Sequence, residues 1–212
     1  SNPAADAATV QAIREALGLD QPLWRQFVIH VGNLLRGDLG LSITTGQPVA
    51  RDLLGRLPAS AELTFAAFAL AVGVALPLGV AAALRPGSWI DHLCRLVATA
   101  GVSLPTFLTG LLLIYLFYYL AGWAPEPIGR LDPFAVPPPV VTGFLLMDAV
   151  LAGDREGFFS AARQLVLPSV TMAIFALAPL ARMTRAAMIG ALGADFIRTA
   201  RANGLRRRTV VL

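Results

Sequence analysis

The chain has 212 residues, of which 56% are hydrophobic and only 14% charged, and its mean hydropathy is +0.67. Soluble domains carry about a quarter charged residues, so the composition argues against an ordinary soluble globule and for a membrane protein. The net charge of +4 is carried by arginine without any lysine, but the arginines are scattered among apolar runs, with only Arg206, Arg207 and Arg208 clustered, and this is not the basic stripe that nucleic-acid binding needs.

Ser1 to Thr9 are small and polar, without the basic and apolar regions of a signal peptide, and there is no initiating Met; the chain reads as a piece of a longer protein. Residues 1–60 read as a segment outside the membrane with short amphipathic helices. Val10, Ile13 and Leu17 share one helical face, with Gly18 as a stop. Leu23, Phe27, Val31 and Leu34 make a second stripe, widened by Trp24, Val28 and Leu35 and closed by Gly37 and Asp38. A further run from Pro48 and Val49 to Leu57 is expected to end at Pro58.

Ala61 to Leu84 is the clearest spanning segment, with one charge, Glu62, at its edge. Pro77 lies inside it, which lipid tolerates only where neighbours satisfy the freed carbonyl, so the helix belongs in a bundle. Its many alanines and glycines favour close helix contacts. Arg85, Pro86 and Gly87 end it, and Ser88 with Asp91 forms a capping pair for the next helix. Residues 89–121 follow a helical pattern with Pro105 in the middle. Their length, about 50 Å as a helix, predicts an interfacial first half and a spanning second half. Tyr115, Tyr118, Tyr119 and Trp123 cluster at the far end as an aromatic belt would.

The prolines from Pro125 to Pro139 make residues 123–164 an external loop, with a short surface helix over Met147 to Phe159. The last span runs over 165–189 with Pro168 and Pro179 inside. Arg182 and Arg185 in its final turns are expected to snorkel to the headgroups; the sharper reading puts one of them on a polar pathway or a partner. With three spans, one side holds nine arginines concentrated in short flanks and the other holds eight spread over long loops. The positive-inside rule then places residues 1–60 outside and the segment after 182 in the cytoplasm.

Cys94 cannot form an intrachain disulfide and reads as a buried, inert thiol. One cysteine with His30 and His92 supplies no zinc-type ligand set. An integral-membrane enzyme would have to use Glu62, Asp91 or His92, which sit at the edges of spans. A GxxxxGK[ST] phosphate loop needs a lysine, which the chain lacks.

The most informative segment follows the last span: Asp195, Phe196, Ile197, Arg198, Thr199, Ala200, Arg201, Ala202, Asn203, Gly204 and Leu205. Physically it is a short helix with Gly at its stopping point, and by itself it suits a basic amphipathic helix on anionic lipid. It also resembles the cytoplasmic coupling loop of binding-protein-dependent ABC permeases, Glu-Ala-Ala followed after three residues by Gly. Arg198-Thr199-Ala200 takes the first place and Gly204 the last; Arg198 in the acidic position is a departure typical of the dipeptide and oligopeptide branch. Further stretches resemble that branch in order: Gly18 to Pro22, Gly37 to Ser42, Gly46 to Val49, Arg56 to Ser60, Ser103 to Phe107 and Leu180 to Arg185.

The resemblance implies an all-α integral membrane protein, a kinked helix bundle of the type I ABC importer permease kind. This chain would hold about three of six spans, with 190–212 a truncated coupling segment. It implies a permease importing dipeptides or oligopeptides across the bacterial inner membrane by alternating access, with nickel, glutathione or another small solute as the alternative cargo. No chemistry on the substrate and no cofactor in this chain are expected, ATP and Mg residing on partners. Those partners would be two cytoplasmic ATPase subunits contacted by residues 195–205, a second, paralogous permease, an external substrate-binding protein and the lipid bilayer. Substrate-lining residues are not specified; Glu62 and Thr64 are guesses.

Overall fold

The structure, a computed structural model, describes residues 21–204, without the side chains of Ala100, Val102, Arg198 and Arg201. The helix expected around Val10, Ile13 and Leu17, Leu205 and the cluster Arg206 to Arg208 lie outside the described residues. The chain divides into two units, Ser1–Leu57 and Pro58–Leu212. Among the described residues the secondary structure is helical, apart from an isolated antiparallel bridge between Leu41 and Pro48.

In the first unit α1 spans Leu23–Leu35 and buries none of its residues. Pro22 opens it, since its fixed φ suits the entry and its carbonyl accepts from the N–H groups of Arg25 and Gln26. Gly37 at φ 81° turns the chain away, and the Asp38 N–H returns to the Asn33 carbonyl at 2.9 Å. Leu23, Trp24, Phe27 and Leu35 stand exposed along it. The bridge closes a turn in which the Thr45 hydroxyl donates to Asp52 at 2.5 Å.

Helix α2 runs Val49–Leu84, with Pro58 and Pro77 inside it. The expectation that Pro58 ends a short helix is therefore corrected. A proline removes one backbone bond and costs about 3 kcal/mol, which the remaining turns and their packing outweigh. Beyond it come α3 (Trp89–Ser103), α4 (Thr106–Leu113) and a π-helical stretch, Ile114–Leu120. The break between α3 and α4 falls at Leu104, extended at φ −103°, ψ 135°, because Pro105 disfavours a helical residue before it. The break thus falls at the proline noted in the middle of 89–121. In the π stretch the Ala121 N–H reaches the Leu116 carbonyl, five residues back. Tyr115 and Tyr119 stack at 5.6 Å between ring centres, and both face outward, as does Trp123.

After the proline-rich connector, α5 covers Leu145–Leu151 and α6 covers Arg155–Leu192. The last long helix thus starts ten residues before the expected 165, and the surface helix expected over Met147 to Phe159 is divided between α5 and α6. Asp154 sets the boundary: its carboxylate accepts from the Gly157 N–H at 2.9 Å, capping α6. Pro168 and Pro179 lie within the helix.

The core lies where α2, α3 and α6 meet, and small side chains make it. Ala71, Ala75 and Ala82, with Cys94, Ala173, Leu177 and Ala181, form one buried cluster. Large side chains point the other way: Phe65 is 70% exposed while Ala71 is fully buried. Small residues inside and large apolar ones outside is the arrangement of helices that pack closely within lipid. Gly79 shows how close: a Cβ there would stand 2.7 Å from Cβ of Thr184 and 2.9 Å from the Ala181 carbonyl. Among the described residues two helices, α2 and α6, are long and apolar enough to cross a bilayer, and Thr106–Leu120 is a shorter apolar stretch.

Candidate functional site

The last turns of α6 lead through Gly193 and Ala194 into α7, Asp195–Ala202. Ile197 turns inward and is 7% exposed, with Ala200, three residues on, half-buried beside it. Phe196, Thr199 and Asn203 recur at i, i+3 and i+7, so they share one face, and all three are exposed. Helix α7 thus rests on the bundle by one edge and offers an aromatic and two polar groups outward. The Asn203 N–H bonds the Thr199 carbonyl at 3.0 Å, and the chain then turns at Gly204, φ 77°. That left-handed φ needs glycine; a Cβ there would meet nothing within 4 Å, so the constraint is conformational rather than steric. Asp195, Ala202 and Gly204 are exposed with the outer face.

Above this helix lies a charged cluster that holds α6 in place. Asp91, in the first turn of α3, is completely buried. Arg185 donates to it through Nε at 2.5 Å and Nη2 at 3.1 Å, and Arg95 donates through Nη2 at 2.6 Å. The Gly87 N–H adds a fourth bond at 3.0 Å. A carboxylate takes this load only if its lone pairs are filled, and here all four donors converge on two oxygens. Arg182, one turn earlier, donates to the Ala98 carbonyl at 3.1 Å. The expectation that Arg185 snorkels is corrected: it reaches across to α3, because a buried Asp91 short of partners costs more than turning a flexible cation inward, whereas Arg182 stays exposed while bonding α3. Ser88 accepts from the Asp91 N–H at 3.4 Å, as the capping pair implied, but the carboxylate itself serves α6.

Asp91 as the anchor of Arg185 escaped the sequence reading, which gave it a capping role and weighed it otherwise only as an acid at the edge of a span. The signal was present in the two charge signs on apolar helices, which must find each other once water is removed.

At the opposite end of the bundle Glu62 accepts from Arg130 at 2.5 Å and from the Leu146 N–H at 2.8 Å, tying the connector to α2. The Thr64 hydroxyl is back-bonded to the Ser60 carbonyl at 2.7 Å. Asp148 of α5 accepts from the Thr142 hydroxyl and N–H, each at 2.7 Å, and from the Gly143 N–H at 3.0 Å. The Thr142 hydroxyl, followed by these backbone donors, holds the Asp148 carboxyl below the usual carboxylate range against the opposing effect of burial.

A bundle with a small-residue core and a large apolar exterior has the construction of an integral membrane protein. Residues 75–212 match the family described as binding-protein-dependent transport system inner membrane component, and the chain belongs to that family. It is 47% identical over 208 residues to a probable D,D-dipeptide transport system permease protein of Escherichia coli, over 98% of this chain and 61% of that protein. It is 45% identical over 195 residues to a di/tripeptide transport system permease protein of Pseudomonas aeruginosa, over 92% and 57% of the two chains. A dipeptide transport system permease protein of Escherichia coli is 37% identical over 199 residues, with 92% and 58% covered. The chain thus spans about three fifths of the length of these curated relatives.

Proposed function

We propose that this chain belongs to the permease subunit of an ATP-driven importer of dipeptides or oligopeptides. The observation that carries the reading is α7. A helix seated through Ile197, open along Phe196, Thr199 and Asn203, and ended by a left-handed Gly204 is built to be held by a second protein. The named roles of the relatives supply the cargo class.

In this reading residues 195–205 sit in the cytoplasm against one of two ATPase subunits, and residues 1–60 and 123–164 lie outside. ATP and Mg are bound by those ATPase subunits. A second, paralogous permease completes the pathway and a substrate-binding protein delivers cargo to the outer face. ATP-driven closure of the ATPases moves α7, and the Arg185–Asp91 and Arg182–Ala98 links carry that movement from α6 into α3.

The test is co-purification. The full-length permease is co-expressed with its operon partners in mild detergent, with and without residues 195–205. An ATPase subunit retained by the intact protein and lost on deletion supports the reading. An intact protein that retains no ATPase overturns it.

A further inference from the structure

Between α4, the π stretch, the connector and the first half of α6 lies a cavity of about 470 Å³, within the usual range for small-molecule sites. Its walls are mainly apolar, with Phe107, Leu167 and Met172 among them. Gln164 also lines it. This side chain is 8% exposed, and its carboxamide nitrogen is buried without a hydrogen-bond partner. A native carboxamide is rarely left so, because the lost water bonds cost free energy that nothing returns. Pro168, in the same wall, has no N–H to offer the Gln164 carbonyl. Beside Gln164 stands Arg163, an exposed cation also lining the cavity.

The polar lining of the cavity is not confined to Gln164. Arg163, Thr106 and Thr171 line it together with Pro125 and Pro127. Thr171 is eight residues along α6 from Arg163, about 12 Å of helix. An extended tripeptide is about 10 Å long.

We propose that this cavity is a peptide-binding site of the permease. The peptide's C-terminal carboxylate lies on the Arg163 guanidinium and the Gln164 carboxamide, with its side chains against Phe107, Leu167 and Met172. The proposal rests on the importer reading and adds where along this chain the cargo pauses. Guanidinium and carboxamide both donate to carboxylate oxygens, and the guanidinium does so with full charge. The apolar wall is indifferent to side-chain detail, which suits a cargo class of varied sequence.

The test uses the full importer complex in lipid nanodiscs and a dipeptide carrying a benzophenone side chain, photolysed without binding protein. ATP-dependent uptake of a plain dipeptide by the same complex in proteoliposomes is measured separately. Labelling is expected at Phe107, Leu167 or Met172. It should fall about ten-fold for the C-terminally amidated dipeptide and for Arg163→Gln, the effect of one charged hydrogen bond. The amidated ligand needs no variant, so misfolding of a variant cannot mimic the result. Labelling elsewhere, or equal labelling by acid and amide, overturns the site while leaving uptake intact. Labelling blocked by added anionic lipid but not by excess dipeptide makes the occupant a headgroup and also overturns it. Absence of ATP-dependent uptake by the wild-type complex instead defeats the importer reading.

Discussion

Asp91 sits at 0% exposure among groups that supply four hydrogen bonds to it, and its consequences are those of a buried ion pair. Removing Asp91 strands Arg185, and removing Arg185 leaves Asp91 with Arg95 and the Gly87 N–H alone, so the two losses overlap. Arg185→Gln and Asp91→Asn are each expected to lower the melting temperature of the detergent-solubilised protein by several degrees. The double variant is expected to lose less than the sum. Additive losses in a thermal-shift assay would mean that the pair carries no coupling. Asp148 makes a separate prediction about pH. Its folded-state pKa is depressed, chiefly by the Thr142 hydroxyl, so its contribution is present above the unfolded carboxylate value and is lost as pH falls through the lower folded value. Protection of the Thr142 and Gly143 amides from hydrogen exchange, compared with Asp148→Ala at each pH to remove the intrinsic exchange rate, should hold at pH 7 and decline only well into the acid range. Protection independent of Asp148 at every pH would refute this.

The long helices depend on close approach. Gly79 of α2 leaves no room for a side chain against Thr184 and the Ala181 carbonyl of α6. Gly79→Ala overpacks this contact and is expected to cost about 1–3 kcal/mol, read as thermal stability in detergent. Thr184→Gly should recover only part of it, since the backbone carbonyl remains. A neutral Gly79→Ala would show that the two helices move apart freely. At α7 the limiting property is conformation. Gly204→Asp forces a side chain into φ 77° and is expected to uncouple ATP hydrolysis from uptake in the full complex. Phe196→Ala should weaken ATPase retention by about ten-fold or more, as loss of a central aromatic anchor does. Normal uptake and ATPase retention by both variants, at normal expression, would remove the coupling role from this helix.

Over the whole molecule, the proposed topology puts the proline-rich connector outside and α7 inside. Cys94 is 1% exposed, so burial shields it from aqueous reagents. Phe134→Cys, at a site 95% exposed, should react with an impermeant maleimide in intact cells. Asn203→Cys should react only in inside-out vesicles. The reverse outcome inverts the topology.

The composition and the long apolar runs pointed to a helical membrane protein, and the segment from Asp195 to Leu205 with six further stretches carried the resemblance to its family. Lipid imposes length and apolarity on every span, and a short outward-facing helix keeps its signal in adjacent residues. The continuation of α2 through Pro58 and the start of α6 at Arg155 were not legible, because proline's penalty is local and its outcome depends on packing that local sequence does not contain. The sequence by itself also showed that Arg182 and Arg185 were charges in an apolar helix. Only the tertiary structure decided that they reach Ala98 and Asp91, and that Gln164 and Arg163 open onto one cavity. Those pairings join residues far apart in the chain, and what selects them is the cost of leaving a buried polar group alone, which is set by three-dimensional neighbours.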